Sequence, residues 1–187
     1  MRIFFALTLS EGEIGRIEHI QSLLKNRFNQ NDMIWVPPQN FHVTVKFIGE
    51  LDEANLSSMY TAGEDTGSFL NPFSFTLTGP SLFPSRHQPH SIALMCKKEI
   101  PELNGLAAVL DEALGKKGAT PEARPFRAHL TLARFRDRRA KENSNSLPDD
   151  IDSSVKIMVE SCSLMKSDLS MNIPRYTVLQ NFPLRIS

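Results

Sequence analysis

The chain has 187 residues, of which 41% are apolar, 22% charged and 8% aromatic, the profile of a folded globular protein. Twelve prolines and nine glycines exclude a low-complexity or collagen-like chain, and 21 Lys plus Arg against 21 Asp plus Glu exclude a protein coated uniformly in positive charge. Two cysteines, Cys96 and Cys162, at no metal-ligand spacing, read as reduced thiols in a cytoplasmic protein large enough to need no disulfide.

In chain order, Ile3 to Leu9 reads as a first strand and not as an export signal, because Glu11 and Glu13 follow where a small-residue cleavage site would stand. No run approaches the roughly 18 apolar residues of a membrane span, so no membrane contact is expected, and the chain reads as a soluble monomer or small oligomer. Ile14, Ile17, Ile20, Leu23, Leu24 and Phe28 repeat at helical spacing, with His19 on the outer face. A strand around Phe41 to Phe47 follows. Asp52 to Asp65 is the next helix, opened by Asp52 as N-cap, and Phe73 to Thr78 alternates as a strand. His87 and His90 fall in a proline-containing loop with no third ligand at motif spacing, so no metal site is expected there. Ser91 to Cys96 is a strand, and Leu103, Leu106, Ala107, Leu110 and Leu114 mark a helix ending near Gly115. Ala128 to Phe135 is a strand, 136–150 a loop or short turn, and Val155 to Met165 and Tyr176 to Leu184 two closing strands.

Within this order the chain repeats itself. Phe41-His42-Val43-Thr44-Val45-Lys46-Phe47 is echoed by Ala128-His129-Leu130-Thr131-Leu132-Ala133-Arg134-Phe135, with the histidines 87 residues apart. Each copy follows a strand and an amphipathic helix. The expected architecture is α+β, with two lobes of approximately 1–88 and 89–187 related by a pseudo-twofold.

Side chains two apart in a strand share a face. An ideal strand therefore groups His42, Thr44 and Lys46, and likewise Arg127, His129 and Thr131, opposite apolar faces that include Phe47 and Leu132. If the two polar faces meet across a cleft, they suit phosphoester cleavage without a metal or other cofactor. One imidazole accepts a proton from water while the other donates one to the departing alkoxide. The threonine hydroxyls can hold non-bridging phosphate oxygens. Lys46 and Arg127 share the histidines' parity and are candidates for further phosphate ligands. Arg134 has the wrong parity unless a bulge intervenes. Phe4, Phe5, Trp35 and Phe126 are the aromatic candidates for stacking on a base.

These motifs resemble those of the 2H phosphoesterases, and within them the RNA 2′,3′-cyclic phosphodiesterases, historically called 2′-5′ RNA ligases. The resemblance rests on the blocks Arg2 to Leu7, Trp35 to Glu50, Arg124 to Arg134 and Pro174 to Leu179. It implies a bilobal pseudo-twofold fold with two antiparallel sheets flanking a central cleft and helices outside. It implies His42 as proton donor, His129 as proton acceptor, and Thr44 and Thr131 as phosphate ligands. The implied partner is RNA or an oligonucleotide ending in a 2′,3′-cyclic phosphate, opened to a 2′-phosphomonoester. Reversible 2′-5′ RNA ligation and a nucleotide- or RNA-binding module without turnover are the alternatives. Between Arg124 and Lys141, seven cations stand against Asp137 alone and bracket His129, a place for a polyanion that the neutral total conceals.

Overall fold

The computed structural model describes residues 1–28, 30–116, 118, 126–136, 147, 151, 153–170 and 174–185. The chain begins with β1 (Arg2–Leu7) and α1 (Glu11–Lys25). Helix α1 starts where it does because Ser10 and Glu13 cap each other: the Glu13 amide donates to the Ser10 hydroxyl and the Ser10 amide to the Glu13 carboxylate. Then come β2 (Met33–Trp35), β3 (Val43–Glu50), α2 (Leu56–Phe69), β4 (Phe73–Phe83), β5 (Ser91–Met95) and α3 (Pro101–Gly115). The last described elements are β6 (His129–Phe135), β7 (Val155–Val159), β8 (Ser161–Asp168) and β9 (Arg175–Pro183).

Three differences from the sequence reading have physical causes. Strand β2 is three residues long, too short to show an alternation. Asp52 caps a single 3₁₀ turn, Glu53–Asn55, so the α-helix begins at Leu56 and runs on to Phe69. The stretch expected as one strand from Val155 breaks at Glu160, because β7 pairs with β4 in one sheet and β8 with β1 in the other. The loop expected over 136–150 lies, apart from Arg136 and Leu147, outside the described residues, as do Arg124, Asp137 and Lys141 of the cationic run.

The strands form two antiparallel sheets, ordered β3-β1-β8-β9 and β2-β6-β5-β4-β7. The first three strands of one order, β3-β1-β8, correspond to β6-β5-β4 of the other, whereas the outer strands β9 and β7 both come from the second half of the chain. Each half of the chain sets its first strand beside its histidine strand, then receives its third neighbour from the other half: β8 flanks β1, and β4 flanks β5. Each sheet is therefore built from both sequence repeats.

Alternation decides which faces are dry. Ile3, Phe5 and Leu7 of β1, Ile92 and Leu94 of β5, and Leu130 and Leu132 of β6 are buried with Ile17, Ile20 and Leu24 of α1 and Leu106, Leu110 and Leu114 of α3 in one contiguous core. Each such aliphatic side chain contributes about 1.5–3 kcal/mol by leaving water. Helix α2 lies against β8 and β9, and Gly67 allows the approach: a Cβ there would meet the Pro183 carbonyl oxygen at 2.7 Å. The opposite face of the first sheet carries a separate small cluster, Phe4, Ala6 and Met165 with Tyr176. No described helix is long and apolar enough to cross a membrane. Cys96 and Cys162 are both free.

Candidate active site

Strand β1 alternates without interruption, so its pairing with β3 reveals which β3 side chains share a face. Phe4 pairs with Phe47 and Ala6 with Thr44, whereas Phe5, whose ring is in the core, pairs with Lys46. Val45 is the extra residue of a β-bulge. His42, Thr44 and Phe47 consequently face the same way, and Lys46 is turned to the other side. The second histidine strand carries the same device. Ser91, Ala93 and Met95 share one face of β5, and they pair with Arg134, Thr131 and His129. Leu132 is the extra residue there. The bulge brings Arg134 onto the face of His129 and Thr131, the exception to the parity of an ideal strand.

The two imidazoles are held alike. His42 Nδ1 donates to the Asn40 carbonyl at 2.7 Å, and His129 Nδ1 to the Arg127 carbonyl at 2.8 Å. In each case the carbonyl two residues upstream, just before the strand, fixes the tautomer and leaves Nε2 for chemistry. His42 Nε2 lies 3.0 Å from the Thr44 hydroxyl. Burial is the main cause that lowers both imidazoles below the ordinary histidine value, against the raising effect of the carbonyl bonds. The charge of Arg134 lowers both further, and each has one more lowering neighbour: the His129 imidazole, when protonated, for His42, and Arg127 for His129. One guanidinium is therefore within electrostatic reach of both histidines.

Aromatic rings set the attitude of each imidazole. Phe4 lies 5.1 Å from His42, and Tyr176 meets it edge-on at 5.1 Å and 86°. Phe83 stacks on His129 with centroids 3.8 Å apart and 19° between planes, and the Arg127 guanidinium sits 5.4 Å from the same phenyl ring. Phe83 escapes a reading of the sequence because the alternating run breaks after Thr78. The strand in fact continues past an irregularity at Gly79 (φ 155°) and ends on Phe83.

The remaining residues sort as follows. The bulge takes Lys46 out of the face that His42 and Thr44 share, which corrects its expected parity; its ammonium pairs with the Asp111 carboxylate on α3, and both side chains line the cleft beside Thr44. Arg127 stays beside His129 and donates to the Pro84 carbonyl at 3.1 Å. Phe5 is a core residue, Phe4 is buried against His42, and Phe126 lines the cleft. Trp35 packs against the core with the Lys25 ammonium 5.6 Å from its ring. Phe47, expected in the core, is 60% exposed on the cleft face. His19, His87 and His90 are exposed and do not line the cleft, although the His90 amide donates to the Phe83 carbonyl. A cleft of about 1240 Å³ opens from Thr44, Phe47 and His129 and runs along α3. Among the described residues, no three His, Cys, Asp or Glu side chains gather as ligands for a metal ion.

Two sheets that each present a histidine, a threonine and a post-bulge side chain define a twice-repeated phosphoesterase architecture. The description "LigT like Phosphoesterase" matches the chain twice, over residues 7–93 and 94–176, and the chain belongs to that family. It is 30% identical to the RNA 2′,3′-cyclic phosphodiesterase of Methanothermobacter thermautotrophicus, over 98% of this chain and 99% of that one. It is 29% identical to the protein of the same name from Thermus thermophilus, over 99% and 91% of the two chains. Among solved structures, TT0787 of Thermus thermophilus superposes with a TM-score of 0.79 at 27% identity, over 99% of this chain and 98% of that one. The E. coli LigT complex with 3′-AMP shares the fold, with a TM-score of 0.79 at 22% identity over 98% and 97%.

Proposed function

We propose that the protein hydrolyses the 2′,3′-cyclic phosphodiester at an RNA end to a 2′-phosphomonoester, with His42 and His129 as the paired acid and base. The observation that carries this reading is the matched tethering of the two imidazoles: each Nδ1–H is bound to the carbonyl two residues before it, which directs each Nε2 outward for proton transfer. His129 takes the proton of the attacking water as the oxygen–phosphorus bond forms. The P–O3′ bond breaks on the opposite side of phosphorus, and His42 gives its Nε2 proton to O3′. The product carries a 2′-phosphate and a 3′-hydroxyl. The guanidinium of Arg127 lowers His129 and is not among the causes acting on His42, and a neutral His129 suits the base role. Thr44, Thr131 and Arg134 together receive the non-bridging oxygens, whose charge redistributes in the transition state. This reading needs no metal and no organic cofactor.

The test is product analysis on an oligonucleotide ending in a 2′,3′-cyclic phosphate. A 2′-phosphate is expected, with His42→Ala and His129→Ala each slowing turnover by about 10²- to 10⁴-fold while melting as the parent does. A 3′-phosphate, 2′-5′ joining without net hydrolysis, or full activity in either variant would overturn the assignment.

A further inference from the structure

The cleft is larger than one nucleotide needs. Its volume of about 1240 Å³ exceeds the roughly 300–1,000 Å³ that encloses a drug-sized ligand such as a mononucleotide. It is also directional: from Thr44 and His129 it passes Met95 and the segment 96–100, then follows Leu103, Asn104 and Ala107 on α3. The lining is mostly apolar, with Asn104 and the mutually paired Lys46 and Asp111 among it, and the segment between β5 and α3 adds the exposed cations Lys97 and Lys98 against Glu99.

An apolar trough with aromatic side chains at its head and cations on its rim is how single-stranded nucleic acid is held, bases on the apolar surface and phosphates on the charges. The substrate supplies the direction. A cyclic phosphate terminates a strand, so every other nucleotide must leave the site on the 5′ side. Resting on the reaction proposed above, we infer that the trough along α3 holds the nucleotides immediately 5′ of the reacting one, with Lys97 and Lys98 on their phosphates. The preferred substrate is then a single-stranded oligonucleotide and not a free nucleoside cyclic phosphate.

The experiment compares a nucleoside 2′,3′-cyclic monophosphate with a single-stranded oligoribonucleotide of roughly six nucleotides, a length within the span of known single-strand sites, ending in the same group. The parent should show a higher kcat/KM on the oligonucleotide. The variant Lys97→Glu/Lys98→Glu should lose most of that advantage, retain the parent's rate on the mononucleotide, and reduce the slope of log affinity against log salt by about 1 per lysine. The slope is read by fluorescence anisotropy on the oligonucleotide bearing a terminal 2′-phosphate, so it does not depend on turnover. Equal rates on both substrates in the parent, equal loss on both in the variant, or an unchanged salt slope would overturn the assignment of the trough. Failure of the parent to open either cyclic phosphate would instead overturn the proposed reaction, and the salt slope would still decide the trough.

Discussion

His129 is held at two points: Nδ1 on the Arg127 carbonyl and its ring face on Phe83. Aromatic pairs of this kind are worth about 0.5–1.5 kcal/mol beyond the area they bury. If that energy goes into the imidazole's attitude, Phe83→Leu should lower kcat by a few-fold to about tenfold. The pH profile separates this from general loosening. Burial is the first cause of the lowered His129 value, and removing the ring admits water, so the limb belonging to His129 should move up toward the ordinary value of about 6.5. The His42 limb should stay in place, and Phe83→Tyr should restore the parent profile. A drop in kcat with both limbs unmoved would mean that Phe83 does no more than fill space. Lys46 shows the opposite relation to the chemistry: it is nearly inaccessible, and its charge is committed to Asp111 across the junction of β3 and α3.

At the scale of elements, the two bulges decide which residues reach the cleft. The β6 bulge is braced from behind by α1, since Gln21, fully buried, donates through Nε2 to the Val36 carbonyl at 2.7 Å and to the Leu132 carbonyl at 2.9 Å. The Leu132 carbonyl also accepts from the Val36 amide. Gln21→Met, close in volume, leaves the Val36 carbonyl short of a donor and the Leu132 carbonyl with the Val36 amide alone, and should cost about 1–3 kcal/mol of stability in urea titrations. As Arg134 withdraws, both histidine limbs of the kcat/KM profile should shift upward, because its charge lowers both. Lost stability with an unchanged profile would confine Gln21 to packing. These bulges also mark the limit of what the sequence discloses. The alternation through His42 and Thr44, and through His129 and Thr131, is local and is legible as written. The extra residue after each threonine depends on the pairing with β1 and β5, a tertiary fact. For that reason the parity of an ideal strand groups Lys46 with the wrong face, assigns Phe47 to the core and sets Arg134 aside.

On the scale of the molecule, the repeat in the sequence and the division into sheets do not coincide. A chain cut between residues 88 and 89 would leave β1 without β8 and β5 without β4, so each piece would expose unpaired backbone on a strand that is central in the intact sheets. Neither piece is expected to fold alone. Mixed together, they should restore native circular dichroism and cyclic phosphodiesterase activity, because each supplies the strand that the other lacks. Two pieces that each fold cooperatively in isolation would refute this account of the sheets. The helices and the apolar faces are legible from periodicity, whereas the exchange is not, since nothing local to β4 or β8 announces which neighbour it will take.

The exchange also imposes an order on synthesis. Strand β1 is made before the other described strands and can pair with β3 soon afterwards, but its other edge must wait for β8, which is made only after residue 160. The wall bearing His42 therefore stays unfinished until most of the chain has been translated, whereas β4, β5 and β6 have all emerged by residue 135. The nascent protein is expected to acquire the surface around His129 before the one around His42, and to be open to strand-mediated aggregation in the interval.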